Sequence, residues 1–299
     1  MAKKVIVSIV VAVTGDKRVY RLVESLLSQT FSKDDTEIII IENGTHELSG
    51  IQSLDEDTIV YYHLVPANMA AARNAGLSVA RGRYLLLTDA DCVAQADWVE
   101  QMVELLGTGA YGAIGGTIGK FEAKTWTQRY SITIVDGQTS LNYLPALPLP
   151  YIAGANAGFI LSTVRQVGGF DEAFHSGNDV DICYRIALAG YAIGLAPKAV
   201  ILHEDRTGVL AHFCRFRKYA MFQVLLHSKY RSISNQYLVI NPYPLKRMLH
   251  GLCNVPQAAL NSCRGDHALA SRTVLEMIEA AGIWCGDIEG SIRHKQIYI

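Results

Sequence analysis

Short β-branched runs alternating with amphipathic stretches fill the first third of the chain, and this rhythm constrains the fold more than any other feature. Val5–Val13, Glu37–Ile41, Thr58–Leu64 and Tyr84–Thr88 are apolar and short, as buried strands are. Between them, Arg18–Gln29 carries a helical stripe at Val19, Leu22, Val23, Leu26 and Leu27. Met69–Ala80 is Ala-rich and helical, and Trp98–Leu106 follows as another helix. Strand–helix alternation of this kind predicts an α/β domain with a largely parallel sheet. Ligands of such sheets bind beyond the carboxyl ends of the strands. Glu42, Asp89 and Asp91 all lie at such ends and are expected to face one cleft.

Asp89-Ala90-Asp91 carries the first chemical signal. Side chains two apart on a strand share a side, and like charges so placed repel unless water solvates both or a cation lies between them. Mg²⁺ and similar hard cations take one or two carboxylates together with substrate phosphates. A solvated turn and a metal–nucleotide site both remain open on this motif alone. Gly107-Thr108-Gly109-Ala110-Tyr111-Gly112 matches Gly-x-Gly-x-x-Gly but follows a helix and precedes a strand, the reverse of a dinucleotide fingerprint. No P-loop is present. Asn43-Gly44-Thr45 is a formal glycosylation sequon with no secretory signal beside it.

Half of the 299 residues are hydrophobic and the net charge is −1, which excludes a disordered chain and allows one large domain or two smaller ones. The charge is uneven. Residues 1–204 carry 15 Lys/Arg against 22 Asp/Glu, whereas residues 205–299 carry 12 against 6. The basic part fits an anionic partner (phosphate, pyrophosphate or an acidic membrane surface) or simply a solvated face complementing the acidic part. No nucleic-acid partner is expected. Six cysteines show no Cys-x-x-Cys spacing and read as free thiols of a reducing compartment. Lys3-Lys4 before Val5–Val13 imitates a signal peptide, but Thr14-Gly15-Asp16-Lys17-Arg18 follows instead of a small-residue cleavage site, so the run reads as a core strand. No apolar stretch approaches the ~20 residues of a membrane span. A cytoplasmic protein is expected, with peripheral contact at the inner membrane face as an extension of that reading.

Residues 117–150 form a long excursion with Phe121, Trp126, Tyr130 and Tyr143, closing on Pro145, Pro148 and Pro150; segments of this length are often functional. Asn178-Asp179-Val180-Asp181 precedes a helical pattern at Ile182–Ala189, with Asp179 or Asp181 as its N-cap. Ala199–Leu202 is a short strand followed by His203. Val209–His227, Leu245–Ala259 and Ala268–Ala281 read as helices, with Tyr237–Leu245 as a connection. Val209–Leu226 mixes Phe, Leu and Arg, fitting either a buried packing helix that covers a cleft or a membrane-surface helix.

The order of these motifs resembles the family 2 glycosyltransferases, over about residues 5–204. Thr14 ends the first strand where the family has Pro-Thr-Tyr-Asn. Glu42-Asn43-Gly44-Thr45 is similar to its Asp-Asp/Asn-Gly-Ser loop, and Asn68 through Gly76 to its Ala-Arg-Asn-x-Gly helix. Asp89-Ala90-Asp91 falls at its Asp-x-Asp. Gly168-Gly169-Phe170-Asp171-Glu172, Asn178-Asp179-Val180-Asp181 and the strand closing on His203 match its later segments. The resemblance implies a GT-A-type, Rossmann-like, mostly parallel sheet flanked by helices, with a helical C-terminal extension. Residues 1–204 would form the nucleotide-sugar-binding and catalytic domain. Residues 205–299 would form an acceptor-side or interaction region.

It also implies roles. Thr14 and Glu42 would contact a nucleobase, uracil in many members, with Glu42 in place of the usual Asp. Arg73 and Asn74 would line the nucleotide site, Arg73 either on the base or a phosphate or in a structural ion pair. Asp91 is the leading ligand for Mn²⁺ or Mg²⁺, with Asp89 on the ribose or the same metal. His203 either completes the coordination or is a satisfied structural residue. Asp179 would be the general base of an inverting transfer to an acceptor hydroxyl. Asn178 stands where Glu is usual and, with Gly154 and Asn156, would shape the acceptor side. The implied activity is a hexosyltransferase-type transfer from a nucleoside-diphosphate sugar, most simply a UDP-sugar, to a glycan, lipid-linked or small-molecule acceptor. A sugar nucleotidyltransferase is the competing enzyme, although the Thr14–Arg18 segment lacks its Gly-rich phosphate loop. A catalytically silent nucleotide-sugar-binding subunit is the competing non-enzyme.

Overall fold

The computed structural model describes residues 4–44, 47–65, 68–130, 138, 140–144, 147–234, 241–295 and 298. Thr45 of the Glu42–Thr45 loop and its sequon, Lys3, Pro145 and residues 237–240 of the expected connection lie outside the described residues.

The chain divides into two compact units. The first takes in residues 1–120, 135–143 and 149–204 and is built on one eight-stranded sheet. Its strands are β1 (Val7–Val13), β2 (Thr36–Asn43), β3 (Ile59–Leu64), β4 (Tyr84–Thr88), β5 (Cys92–Ala94), β6 (Ala113–Lys120), β9 (Asn156–Ile160) and β10 (Ile193–His203); a separate ribbon pairs β7 (Asn142–Leu144) with β8 (Leu147–Tyr151). The order across the sheet is β3-β2-β1-β4-β9-β6-β10-β5. β1 pairs in parallel with both β2 and β4, so the chain leaves β1 in one direction and later returns to its other edge. That reversal is the switch point at which α/β sheets bind ligands. β9 runs antiparallel between β4 and β6, and β5 runs antiparallel to β10. The expected largely parallel sheet with flanking helices is observed.

β1, β2 and β4 are buried along their whole lengths, which is why they read as continuous apolar runs rather than alternating ones. Helix α1 (Val19–Leu27) packs on the sheet through Val19, Leu22, Val23 and Leu26, the expected stripe. Helix α2 (Met69–Val79) begins at Asn68, whose side chain accepts the Ala71 N–H at 2.9 Å. It lies so close to β1 that a Cβ on Gly76 would sit 2.4 Å from Val10 Cγ1. Helices α3 (Trp98–Gly107), α5 (Leu161–Gln166) and α6 (Asn178–Leu188) complete this unit. Neither Asp179 nor Asp181 caps α6: Gly177 holds the N-cap position at φ +74°, a conformation that favours glycine, and both acids sit in the first turn. Asp181 is fully buried and pairs with Arg185 one turn on, at 2.8 Å.

The second unit comprises residues 121–134, 144–148 and 205–299. It contains the short helix α4 (Trp126–Tyr130) and three long helices, α7 (Val209–Lys229), α8 (Tyr243–Cys263) and α9 (Ala268–His294). α9 runs thirteen residues beyond its expected end at Ala281. The glycines that look like a stop instead form a groove: a Cβ on Gly282, Gly286 or Gly290 would lie 2.6, 2.2 or 2.9 Å from the carbonyls of Phe213, Arg217 and Met221 of α7. Spacing by four residues keeps all three on one ridge, which lets the two helices approach closely. No described helix is long and apolar enough to cross a membrane.

Candidate active site at the carboxyl edge of the sheet

β4 stops at Thr88, and Asp89-Ala90-Asp91 forms a turn closed by the Cys92 N–H on the Asp89 carbonyl at 3.0 Å. The triplet is therefore a turn, not a strand continuation, and its two carboxylates acquire different partners. Asp89 is exposed over about a third of its side chain and faces the Arg73 guanidinium at 3.3 Å. Asp91 is largely enclosed. Its Oδ1 lies 3.5 Å from His203 Nε2 and its Oδ2 lies 3.6 Å from Arg18. Burial pushes the Asp91 carboxyl up and the nearby Asp89 charge adds to this, while His203 and Arg18 pull it down.

His203 reaches Asp91 through a long-range device. β10 is parallel to β6 but slips register between Ala196 and Val200. The bulge leaves two carbonyls that need donors. Thr117 Oγ1 donates to the Pro197 carbonyl at 2.8 Å and Asn156 Nδ2 to the Ala199 carbonyl at 3.0 Å. Beyond the bulge, β10 pairs with β5 and sets His203 opposite Cys92. The Glu204 N–H then donates to the Asp91 carbonyl at 3.0 Å. Asp91, Cys92 and His203 consequently offer ligand atoms within 4.8 Å of one another. Carboxylate and imidazole beside a second carboxylate form a donor set that fits a divalent cation such as Mn²⁺. Burial holds the Cys92 thiol well above its usual range, so it is protonated.

Across from Asp89, Arg73 is buried, and its other nitrogen donates to Asn178 Oδ1 at 2.6 Å. The same guanidinium lies over the Phe170 ring and against Gly154, where a Cβ would come within 2.7 Å of it. The Gly154 N–H donates to Asp179 Oδ2 at 2.9 Å, and Asp179 Oδ1 accepts from Val180 N–H at 3.0 Å. Asp89, Arg73, Asn178, Gly154 and Asp179 thus form one contiguous chain of contacts. Thr14, just past β1, is exposed.

Three expected site residues are committed elsewhere. Glu42 is fully buried, and its carboxylate accepts the Glu47 and Leu48 N–H groups at 2.9 and 3.1 Å and the Tyr61 hydroxyl. It anchors the loop after β2 rather than presenting a free carboxylate. The Asn74 amide accepts from Phe170 N–H and donates to the Phe170 carbonyl, both at 2.8 Å, and reaches Glu172. It clamps the Gly168–Glu172 loop. Asn156 is fully buried: it accepts from Trp98 Nε1 at 2.8 Å and donates to the Thr117 and Ala199 carbonyls, so it faces the sheet and not an acceptor.

Two contributors escape a reading of the sequence. Arg18 is gripped by Asp16 through both carboxylate oxygens, which holds the Asp16 carboxyl below its ordinary value, and this grip aims Arg18 at Asp91. Gln138 pins the loop before β9 by accepting the Ala153 N–H at 2.6 Å and donating to the Gly116 carbonyl at 2.9 Å. The Asp16-x-Arg18 spacing is a local signal for the first. Nothing near Gln138 in the chain marks the second.

The sequence profile of Glycosyl transferase family 2 matches residues 8–168. A pre-mycofactocin glycosyltransferase of Mycobacterium tuberculosis is 28% identical over 177 residues, which cover 57% of this chain and 38% of that protein. Glycosyltransferase AglE of Haloferax volcanii is 25% identical over 210 residues, 67% of each chain. The chain therefore spans well under half the length of the first of these relatives. Among solved structures, the mannosyltransferase PcManGT of Pyrobaculum calidifontis, in complex with GDP-Man and Mn²⁺, has a TM-score of 0.63 at 16% identity and covers 98% of this chain, with 88% of that chain covered. At this identity the likeness is one of fold, and it agrees with the GT-A architecture. The profile match stops short of Asp179 and His203, which join the site through the contacts above. It takes in the sheet from β1 to β9 with the Asp89–Asp91 turn and Arg73, more than half of the chain, and on that basis the chain belongs to glycosyl transferase family 2.

Proposed function

We propose that the chain is a metal-dependent inverting glycosyltransferase that moves a sugar from a nucleoside-diphosphate sugar to an acceptor hydroxyl. The observation that carries this reading is the Asp89–Arg73–Asn178 bridge, which ties a metal-competent pair, Asp91 and His203, to a separate carboxylate, Asp179. Transfer with inversion needs both parts. The acceptor oxygen attacks the anomeric carbon, the bond to the diphosphate breaks with its electron pair, and the acceptor proton moves to a base. A divalent cation held by Asp91 and His203, with Asp89 beside it, supplies charge neutralisation for the leaving diphosphate.

The remaining work falls to the protein. Asp179 takes the proton at a carboxylate already oriented by two backbone N–H groups. Arg73 holds Asp89 and Asn178 at fixed separation, which keeps donor and acceptor sides in register. Exposed Thr14 contacts the nucleobase, Glu42 steadies the loop beside it, and Asn74 serves the site by clamping the Gly168–Glu172 loop. The base is uracil in this proposal. Residues 1–204 bind the donor, and residues 205–299 with the 121–134 segment serve the acceptor side.

A thermal-shift titration of UDP- and GDP-linked sugars, with and without Mn²⁺, tests this. The wild-type protein should show a metal-strengthened shift with the uridine series. Asp91→Asn should lose the metal dependence, and Asp179→Asn should keep it while turnover falls by roughly 10²–10⁴-fold. A stronger guanosine response would reassign the base. Equal affinity of Asp91→Asn with and without Mn²⁺ alongside an equally metal-independent wild type would remove the metal role.

A further inference from the structure

The exposed face of α8 is apolar along most of its length. Leu245, Leu249, Leu252 and Leu260 are each between 47% and 54% exposed, and exposed Pro256 lies on the same line. Their spacing of four, three, four and four residues puts them on one stripe about 22 Å long. The buried face of the same helix is narrow and lies elsewhere, at Pro244, Gly251 and Ala258. Gly251 abuts Met277 of α9. α9 adds its own exposed apolar row at Val274, Trp284, Ile288 and Ile292. The leucine stripe therefore does not cover the protein's own core.

Charge identifies what covers it. α8 has no acidic residue and exposes Lys246, while its Arg247 is paired with Glu276 and Glu279 of α9. α9 adds exposed Arg272 and Arg293, while its acids are turned inward or paired: Glu276, Glu279 and Asp287 are buried, and Glu289 meets Arg217 and Arg293. A second copy of the chain would bring a like-charged face against this one. An anionic bilayer complements it: leucines enter the headgroup boundary while lysine and arginine remain at the phosphates. α8 is not apolar enough for a spanning role, so it would lie in the interface plane. α7 does not fill this role, because Phe216, Ala220, Phe222, Val224 and Leu226 are buried.

We propose that the α8–α9 hairpin is a docking surface for an anionic phospholipid membrane, with the α8 leucine stripe inserted at the headgroup level. This inference stands apart from the transfer chemistry. The test is co-sedimentation of the full chain with phosphatidylcholine vesicles, with and without about 30 mol % phosphatidylglycerol. Binding should require the anionic lipid, weaken with salt and be accompanied by a blue shift of tryptophan emission in a Trp126→Phe background, where Trp284 is exposed and Trp98 is buried.

Leu249→Glu/Leu252→Glu replaces two exposed side chains and should reduce vesicle affinity by roughly tenfold or more with an unchanged melting temperature. Its nucleotide-induced thermal shift should equal the wild type's, which separates failure here from failure of the catalytic reading. Lys246→Glu should reduce the anionic preference without abolishing binding. Wild-type protein that stays in solution with both vesicle types overturns the proposal, as does a double variant that binds as well as wild type. A concentration-dependent dimer dissolved by the same two substitutions, with no vesicle binding, overturns it in favour of a self-interface.

Discussion

Asp287 of α9 allows a stability effect to be worked through from structure to assay. Its side chain is fully buried, Oδ2 accepts from Asn241 at 3.0 Å, and Oδ1 has no hydrogen-bond partner among the described residues. Burial drives the carboxyl up to about 7, with Asn241 pulling weakly the other way. In the unfolded chain the same group ionises near pH ~3.9. Between these two values the unfolded state releases a proton that the folded state keeps, so the folded state binds more protons and stability falls as pH rises through this window. A gap of about three pH units corresponds to at most about 4 kcal/mol. The penalty is absent below pH ~4 and complete above pH ~7.

Asp287→Asn replaces the protonated acid by a neutral amide of the same shape that still accepts from Asn241. The variant should match the wild type near pH 4 and exceed it above pH 7 by about 1–4 kcal/mol, a rise in melting temperature of several degrees for a chain of this size. The Tyr298 hydroxyl, buried nearby and accepting from Gln223 at 2.8 Å, is itself pushed upward by burial and then by the Asp287 charge. Tyr298 should therefore titrate at lower pH in the variant. Melting curves of both proteins from pH 4 to 9 decide the matter. A variant that melts below the wild type at pH 8, or that retains the same slope with pH, would show that Asp287 is charged and satisfied in the folded protein.

Gly154→Ala places a methyl group 2.7–2.8 Å from two guanidinium nitrogens of Arg73; turnover should fall by roughly tenfold to a hundredfold in kcat with little change in melting temperature, measured in a coupled diphosphate-release assay. Asn74→Ala removes the clamp on Phe170 and should cost about 1–3 kcal/mol in a urea titration while metal-dependent nucleotide affinity survives. Loss of nucleotide affinity at unchanged stability would instead return Asn74 to the nucleotide site.

Much of the sheet was legible because its central strands are buried on both faces and recruit Val, Ile and Leu without alternation; Tyr84–Thr88 is observed with the bounds expected of it. β9 was not legible as a strand. Its Asn-Ala-Gly-Phe-Ile sequence looks like a turn-rich motif, and its small residues serve close packing: a Cβ on Gly158 would meet Leu86, Leu106 and Met102. The end of α9 was hidden for a related reason, since glycine weakens an isolated helix yet permits the approach of α7. At the site, the residue types were legible but not the allocation of their hydrogen bonds. Glu42, Asn74 and Asn156 sit in motifs that suggest ligand contact. Their actual partners (Tyr61, Phe170, Trp98) lie 19, 96 and 58 residues away, beyond what any local pattern encodes.

These buried polar side chains explain why the exposed ones can be placed accurately. A group that develops charge or moves a proton must be held to within a fraction of an ångström, and a loop alone does not hold it. Asn156 satisfies the carbonyl that the β10 bulge frees, and the bulge is what sets His203 opposite Cys92 and beside Asp91. Asn74 fixes the loop that puts Phe170 under Arg73, and Arg73 in turn spaces Asp89 from Asn178. The Asp89 and His203 positions are thus tied, through intervening residues, to amides whose hydrogen bonds are fully committed. Family motifs in this chain mark two populations of residues: those that would meet the substrate, and those whose hydrogen bonds are spent making the first set rigid. Burial marks the extremes, with exposed Thr14 in the first set and fully buried Glu42 and Asn156 in the second, while partly exposed Asn74 is assigned by its hydrogen bonds.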